Sequence, residues 1–505
     1  MSKKPSLAQR TISSIGWNVV GNMAQIAIAF VRSVLLARML PIEVFGIYAW
    51  AHSITTLTGV LPDFGLGGAF MHRAPETASE GDAAAAQFTL QVILTLTWAA
   101  GLMGSAVLFV GQQPRRLALL WATAMAIGSQ LSRTPRLILA RRVVHRRLAL
   151  VSLMDTLLAT TVALTLAWQG ATLWALLATD FTTLVVNVIG LYVWRPVWKP
   201  RMAWNPAGLR YFLSFGGRNV VAIALLRALD RVDDLWVGTF LGNAATGLYS
   251  RAYQFATYPR RVLASPLNMV TSGTYAELKG NRKRLSQAFY RINALLVRSG
   301  FLVAGILALV APEIIRLLLG RRWMPMLDAF RLMLVYTMFD PFKLTVSSVF
   351  IAVGRPERIV WARAVQLAVM VVGLLTLVPV LGIAGVALAV DAMLVVGIVI
   401  LLRQARDHVD FSIRKLFVVP LLALVVGLVL SRAAIELPGI RGSDWRTGGI
   451  KLVAFLATYS LIVLVLERKN LGLLLDFALP TWKRVKNHLL KGEIQVSSTS
   501  QANHI

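Results

Sequence analysis

Apolar residues in this chain come in long blocks. They follow neither the alternation of a half-buried strand nor the one-sided stripe of a surface helix. Blocks fall at about 12–36, 44–72, 83–110, 117–140, 148–168 and 173–194. After a polar linker they resume at about 211–240, 247–275, 292–311, 326–353, 359–378 and 383–402, with two more at about 416–431 and 449–467. About 20 apolar residues cross a bilayer as a helix, so the pattern predicts an all-α polytopic membrane protein with about 14 transmembrane helices. The span ending at 431 is the shortest of them.

Sliding the chain on itself by 201 residues exposes an internal repeat. Gly16, Asn18, Val19 and Val20 fall on Gly217, Asn219, Val220 and Val221. Leu40, Gly46, Tyr48, Ala51 and Glu76 fall on Leu241, Gly247, Tyr249, Ala252 and Glu277. Over 16–76 there are 13 identities in 61 positions without a gap. Shared apolar composition would yield roughly 4 or 5. Six helices per copy make the two copies parallel, with a site expected at the interface between them. The expected organisation is therefore an N-lobe over 1–205, a C-lobe over 206–405, and accessory helices over 406–470. A cytoplasmic stretch, 471–505, follows. Within it 480–493 reads as a basic amphipathic segment with Trp482, Val485 and Leu489 on one side, and the last residues read as a disordered tail.

Composition agrees with the pattern. Of 505 residues, 57% are hydrophobic and only 15% charged, and the mean hydropathy is +0.66. That excludes a secreted, disulfide-built or disordered chain, and with no cysteine there is no thiolate metal site. No cleavable signal peptide is expected, because Lys3, Lys4 and Arg10 precede a long span without a small-residue cleavage site. The net charge is +29. These charges punctuate apolar runs, so an anionic leaflet or cargo explains them better than nucleic acid. One side of the membrane carries 29 Lys and Arg, the other 10, and 13 lie within spans. The bias places both termini in the cytoplasm.

The charges inside spans are the candidate chemistry, since ionisable groups in lipid face a cavity or a partner. Arg260 and Arg261 lie near mid-membrane in the eighth helix with no acid on their own helix, and are expected to face ligand. Arg32 is expected to do so from the outer end of the first helix. Arg251 and Lys343 complete the expected substrate-binding set, although Arg251 could instead reach the outer surface. Asp63 and Asp340 are candidates for proton or cation coupling, or for pairing with a nearby base. In the seventh helix Arg227 with Asp230, and Arg231 with Asp234, are spaced to form structural ion pairs. Prolines mark the same region: Pro62 and Pro259 in helices two and eight, Pro135 and Pro341 in helices four and ten. Those helices correspond under the repeat, and interrupted helices at matching places point to a transport site. Guanidinium groups stay charged at any depth and grip phosphate oxygens bidentately, so the excess of arginine indicates an anionic cargo.

No G-x-x-x-x-G-K-[ST] loop, no H-E-x-x-H motif and no catalytic or metal site is present, and no cofactor is implied. The six histidines are scattered and read as packing or surface residues. The longest outer segment, near 432–448, has only Glu436 and Asp444 as acids, which disfavours an enzyme.

Residues 32–40 and 45–48, their echo at 235–242 and 247–253, and Glu277 with the basic run leading to 288–291 resemble bacterial polysaccharide transporters. The resemblance is to the Wzx-type oligosaccharide flippase branch of the multidrug/oligosaccharidyl-lipid/polysaccharide (MOP) flippase superfamily. It covers about 10–430 in layout. Pro41-Ile42 and Thr274-Tyr275 depart from the family's usual Gly-Pro and Pro-Ala. The resemblance implies a MATE/MOP-like fold in a bacterial inner membrane. It also implies alternating access that flips undecaprenyl-pyrophosphate-linked oligosaccharide for O-antigen, capsule or exopolysaccharide. Implied partners are the lipid-linked oligosaccharide, membrane lipids, and a glycan polymerase with other polysaccharide-assembly proteins. Rivals are a lipid II flippase, a cation-coupled drug exporter of the same superfamily, and, of another class, a membrane glycan polymerase or ligase.

Overall fold

With no water to satisfy backbone N–H and C=O groups, a single apolar span must close its hydrogen bonds within itself, which is what a helix does. The computed structural model describes residues 7–73, 79–142, 144–436 and 444–467, and among these there is helix and no strand. The first half contains α1 (Leu7–Met39), α2 (Ile42–Thr58, continued by Val60–Asp63 and Leu66–His72), α3 (Glu80–Phe109), α4 (Gln113–Leu131, continued by Arg133–Arg141), α5 (His145–Trp168) and α6 (Thr172–Val188). The second half contains α7 (Pro206–Phe240), α8 (Gly242–Pro259, then a π-turn Arg260–Ala264, then Ser265–Leu278), α9 (Arg282–Ile314), α10 (Leu327–Leu332 and Leu334–Ala352), α11 (Glu357–Leu381) and α12 (Ile383–Ala405). Two further helices follow, α13 (Ile413–Glu436) and α14 (Asp444–Leu466).

Every predicted block is helical, and among the described residues twelve of the helices are long and apolar enough to cross a membrane. The two that fall short are α4 and α8, which carry Arg133 and Arg136, and Arg251, Arg260 and Arg261. Glu76, the 480–493 segment and the tail after it lie outside the described residues.

The repeat is visible in three dimensions. α2 is interrupted at Gly59, and the π-turn of α8 begins at Arg260, 201 residues later. α4 is interrupted at Ser132, and α10 at Met333, again 201 apart. α2 breaks a second time at Phe64 and Gly65, whose φ angles of 37° and 69° are left-handed. These breaks sit close to Pro62, Pro259 and Pro135, each of which removes a backbone donor.

The halves meet where α2 crosses α8. A Cβ on Gly46 would lie 1.8 Å from the Asn243 carbonyl oxygen, and one on Gly247 would lie 2.2 Å from that of Ile42. Ile42 and Asn243 are themselves 201 residues apart, so the crossing is a two-fold contact of backbone on backbone. Only glycine permits it. Gly46→Ala or Gly247→Ala is expected to cost about 1–3 kcal/mol or more, because a carbonyl cannot move aside as a flexible side chain can. Thermal unfolding of the purified protein checks this, with Gly101→Ala as the control, since a Cβ there meets nothing within 4 Å.

α13 and α14 dock on α9 through contacts that no local pattern announced. Arg298 of α9 grips Glu467, just past α14, with two bonds of 2.5 Å, and both side chains are buried. Lys451 Nζ lies 2.6 Å from Glu313 Oε1. Phe455 fills the space over Gly305, where a Cβ would come within 2.1 Å of the ring.

Candidate functional site

Proline at 259 and the π-turn after it change the direction in which α8 presents its side chains, and a π-turn within a helix is a frequent mark of function. Here it brings Arg260 to α10. The Arg260 Nε lies 2.9 Å from Asp340 Oδ2, and its Nη1 donates to the Tyr336 hydroxyl at 3.4 Å. Lys343 Nζ is 3.7 Å from the other Asp340 oxygen. Asp340 is almost fully buried, whereas Arg260 remains about a third exposed (32%). These groups line a cavity of about 220 Å³. α7 supplies Asp230 to it and α11 supplies Arg363 and Gln366. Three cations therefore face two carboxylates. The lining thus carries a formal excess of one positive charge.

A second cavity, of about 360 Å³, lies on the first-half side of α7. His52, Gln130, Asp180, Asn187 and Arg227 are on its lining. Asp180 holds it together, accepting from the Tyr48 hydroxyl at 3.0 Å and lying 3.0 Å from His52 Nε2. α7 thus stands between the two cavities and gives Arg227 to one and Asp230 to the other.

That division corrects one expectation. Arg227 does not pair with Asp230; it bonds Asp63 of α2 and donates to the Thr56 carbonyl at 3.1 Å. The physical reason is the break in α2 at Gly59 and Phe64–Gly65, which turns the Asp63 carboxylate toward α7. Asp63 is bracketed from the other side by Arg133 at 2.9 Å. Of the two pairs expected within α7, Arg231–Asp234 is formed, at 3.2 Å.

The other sequence-selected cations are spread apart. Arg251 is tied up between the halves: it donates to Ser33 Oγ and Gln254 Oε1, both at 2.6 Å, and stacks 4.0 Å over Phe45. Arg261 is exposed, 5.7 Å over Tyr258, and is not on the lining of the cavity that Arg260 enters. Arg32 is half-buried in α1 and belongs to neither cavity. The structure therefore brings together Arg260, Lys343, Asp340 and Asp230. It adds Tyr336, Arg363 and Gln366, and it places His52 in the second cavity. In the sequence His52 is one of six scattered histidines, and its partner Asp180 is 128 residues away. Asp391 of α12 is also buried, and one of its oxygens has no hydrogen-bond partner among the described residues.

At the end where α1 meets α2 and α7 meets α8, the halves are latched reciprocally. Arg115 of α4 donates to the Gly238 carbonyl at 2.7 Å and to Asn243 Oδ1 at 2.8 Å. Arg322 bonds the Ala37 carbonyl, and Trp323 Nε1 donates to it at 2.9 Å. Ala37 and Gly238 are another pair 201 residues apart. This end is closed.

Comparison with known proteins places this geometry in context. Residues 35–328, more than half of the chain, match the profile of polysaccharide biosynthesis proteins. The succinoglycan biosynthesis transport protein ExoT of Rhizobium meliloti is 26% identical over 331 residues. That match covers 63% of this chain and 65% of ExoT, just under two thirds of the relative's length. The teichuronic acid biosynthesis protein TuaB of Bacillus subtilis is 20% identical over 369 residues, covering 70% of this chain and 73% of TuaB. Among solved structures, lipid II flippase MurJ in an inward closed conformation superposes with a TM-score of 0.75 at 13% identity. It covers 91% of this chain and all of that one, a likeness of fold.

Proposed function

Because this chain belongs to the polysaccharide biosynthesis protein family, we propose that it carries an oligosaccharide linked to a polyprenyl pyrophosphate across a bacterial inner membrane. The observation that carries the reading is the cavity of Arg260, Lys343 and Arg363 inside a bundle of membrane-length apolar helices. Cations at that depth are costly without an anion to meet, and a pyrophosphate is such an anion. No bond is made or broken in the cargo; the work is transport.

In this reading the halves, 1–205 and 206–405, act as lobes that rock about the α2–α8 crossing, with 406–470 as an accessory pair. The cargo's pyrophosphate takes Arg260 from Asp340, and Asp340 then turns to Lys343 or to a coupling cation. Asp63, held by Arg133 and Arg227, is the corresponding charge centre on the other side of α7. The latch of Arg115 and Arg322 holds the outer end shut until the lobes exchange. Both termini face the cytoplasm, as the basic bias directs. Glycan polymerase is the partner expected to receive the cargo outside.

Deletion of the gene tests the reading. Surface polysaccharide is expected to disappear while lipid-linked repeat units accumulate on the cytoplasmic leaflet, measured by lipid extraction and glycan labelling. Loss of a polymerase would instead strand single units outside. Normal glycan with heightened sensitivity to cationic drugs would favour an exporter.

A further inference from the structure

A third cavity lies apart from the two that flank α7. It measures about 820 Å³ and lies between the start of α9 and the start of α13. Its wall is built, not accidental. Arg282 donates to Asp410 Oδ1 at 2.7 Å and to the Arg406 and Asp407 carbonyls at 2.9 and 3.1 Å. The Asp410 amide in turn donates to Ser286 Oγ at 2.8 Å. Arg282 and Asp410 thereby clamp the turn after α12 onto the first turns of α9 and neutralise each other.

Three cations are left over on the lining: Lys283, Arg291 and Lys415. None of them forms an ion pair among the described residues. Tyr290 and Phe411 line the same cavity, and Phe411 packs on Phe289 with ring centroids 5.4 Å apart. The positive ends of α9 and α13 add to the field.

Depth decides what could enter. α9 has 33 residues, about 50 Å at 1.5 Å per residue, against a hydrocarbon core of about 30 Å. The excess length falls to the first turns because Arg282, Lys283, Arg284 and Arg291 lie there, which places that end at the headgroup layer, with Arg291 about 13 Å along the axis from Arg282. A basic pocket between helices at that level, with aromatic rings beside the cations, is suited to an amphiphile whose polar end is a phosphate.

We propose that this cavity binds the phosphate headgroup of an anionic phospholipid from the adjoining leaflet. That leaflet is the cytoplasmic one in the orientation given above. Lys283, Arg291 and Lys415 contact the headgroup, and Tyr290 and Phe411 contact the glycerol end of the chains. The site is separate from the cargo cavity and does not depend on what the cargo is.

Native mass spectrometry of the full chain tests it. The purified protein is titrated with phosphatidylglycerol, with zwitterionic phosphatidylcholine, or with inorganic phosphate alone. Phosphatidylglycerol is expected to stay bound under activation that strips phosphatidylcholine. Lys283→Gln, Arg291→Gln and Lys415→Gln together are expected to weaken its retention by about 10-fold or more, because each cation near the surface adds separately to the attraction. A control with equal charge loss away from the cavity, Arg195→Gln, Lys199→Gln and Arg210→Gln, all exposed and none on its lining, is expected to bind as the parent does. Equal retention in the triple variant, or equal retention of the two lipids, overturns the proposal. So does displacement of the lipid by inorganic phosphate, which would assign the site to a soluble anion.

Discussion

Replacing Arg260 with glutamine is expected to cut glycan export by about 10- to 100-fold, as losing a charge-assisted bond worth about 1.5–3 kcal/mol in the loaded state implies. The single variant also leaves Asp340 buried, with only Lys343 at 3.7 Å, so part of the loss will be loss of protein. A buried carboxylate stripped of its partner is the costly case. The double variant Arg260→Gln with Asp340→Asn separates the two effects. It removes both charges, so protein abundance is expected to recover while export stays low. Arg260→Lys keeps the charge but loses the planar fork, and an intermediate export is expected. Surface glycan normalised to membrane-embedded protein is the measurement. Full export by the double variant would make the pair a structural one.

Removing Glu467 is expected to be the most destabilising single change outside the cavities. Its two bonds to Arg298 are both 2.5 Å, its side chain is 3% exposed and that of Arg298 is 8% exposed. Glu467→Ala leaves a guanidinium buried among α9, α13 and α14 with, among the described residues, only the Ala294 carbonyl to meet, at 2.7 Å. The expected cost is about 3–5 kcal/mol, the range for breaking one side of a buried pair. Replacing both partners, as Arg298→Met with Glu467→Leu, is expected to recover most of the loss, because an apolar pair of similar volume replaces the ionic one. Thermal unfolding in detergent distinguishes these outcomes. A Glu467→Ala protein as stable as the parent would mean that the accessory pair is held by its apolar faces alone.

The helices were legible because membrane length and apolarity are written locally, one block at a time. The breaks in α2, α4 and α8 were legible for a similar reason: proline and glycine act on their own backbone. Partners were not. Arg260 and Asp340 are 80 positions apart, and nothing near Arg260 reports that α10 will pack against it. Arg227 was assigned to Asp230 because spacing along one helix is the only pairing a sequence displays. The break in α2 gave it Asp63 instead. Arg298 and Glu467, 169 positions apart, were invisible for the same reason. The repeat helped most where it fixed correspondences, since the Gly46 and Gly247 contacts and the breaks at 132 and 333 follow the 201-residue offset.

Reconstitution is the most direct test of the central claim. Purified protein is placed in proteoliposomes with a fluorescent oligosaccharide on polyprenyl pyrophosphate, and the fraction of label reachable by a membrane-impermeant quencher is followed over time. The account predicts that label moves between leaflets with the parent protein and stays in place with the Arg260→Gln, Asp340→Asn variant. Movement that is equal in both, or no faster than in protein-free liposomes, would contradict it.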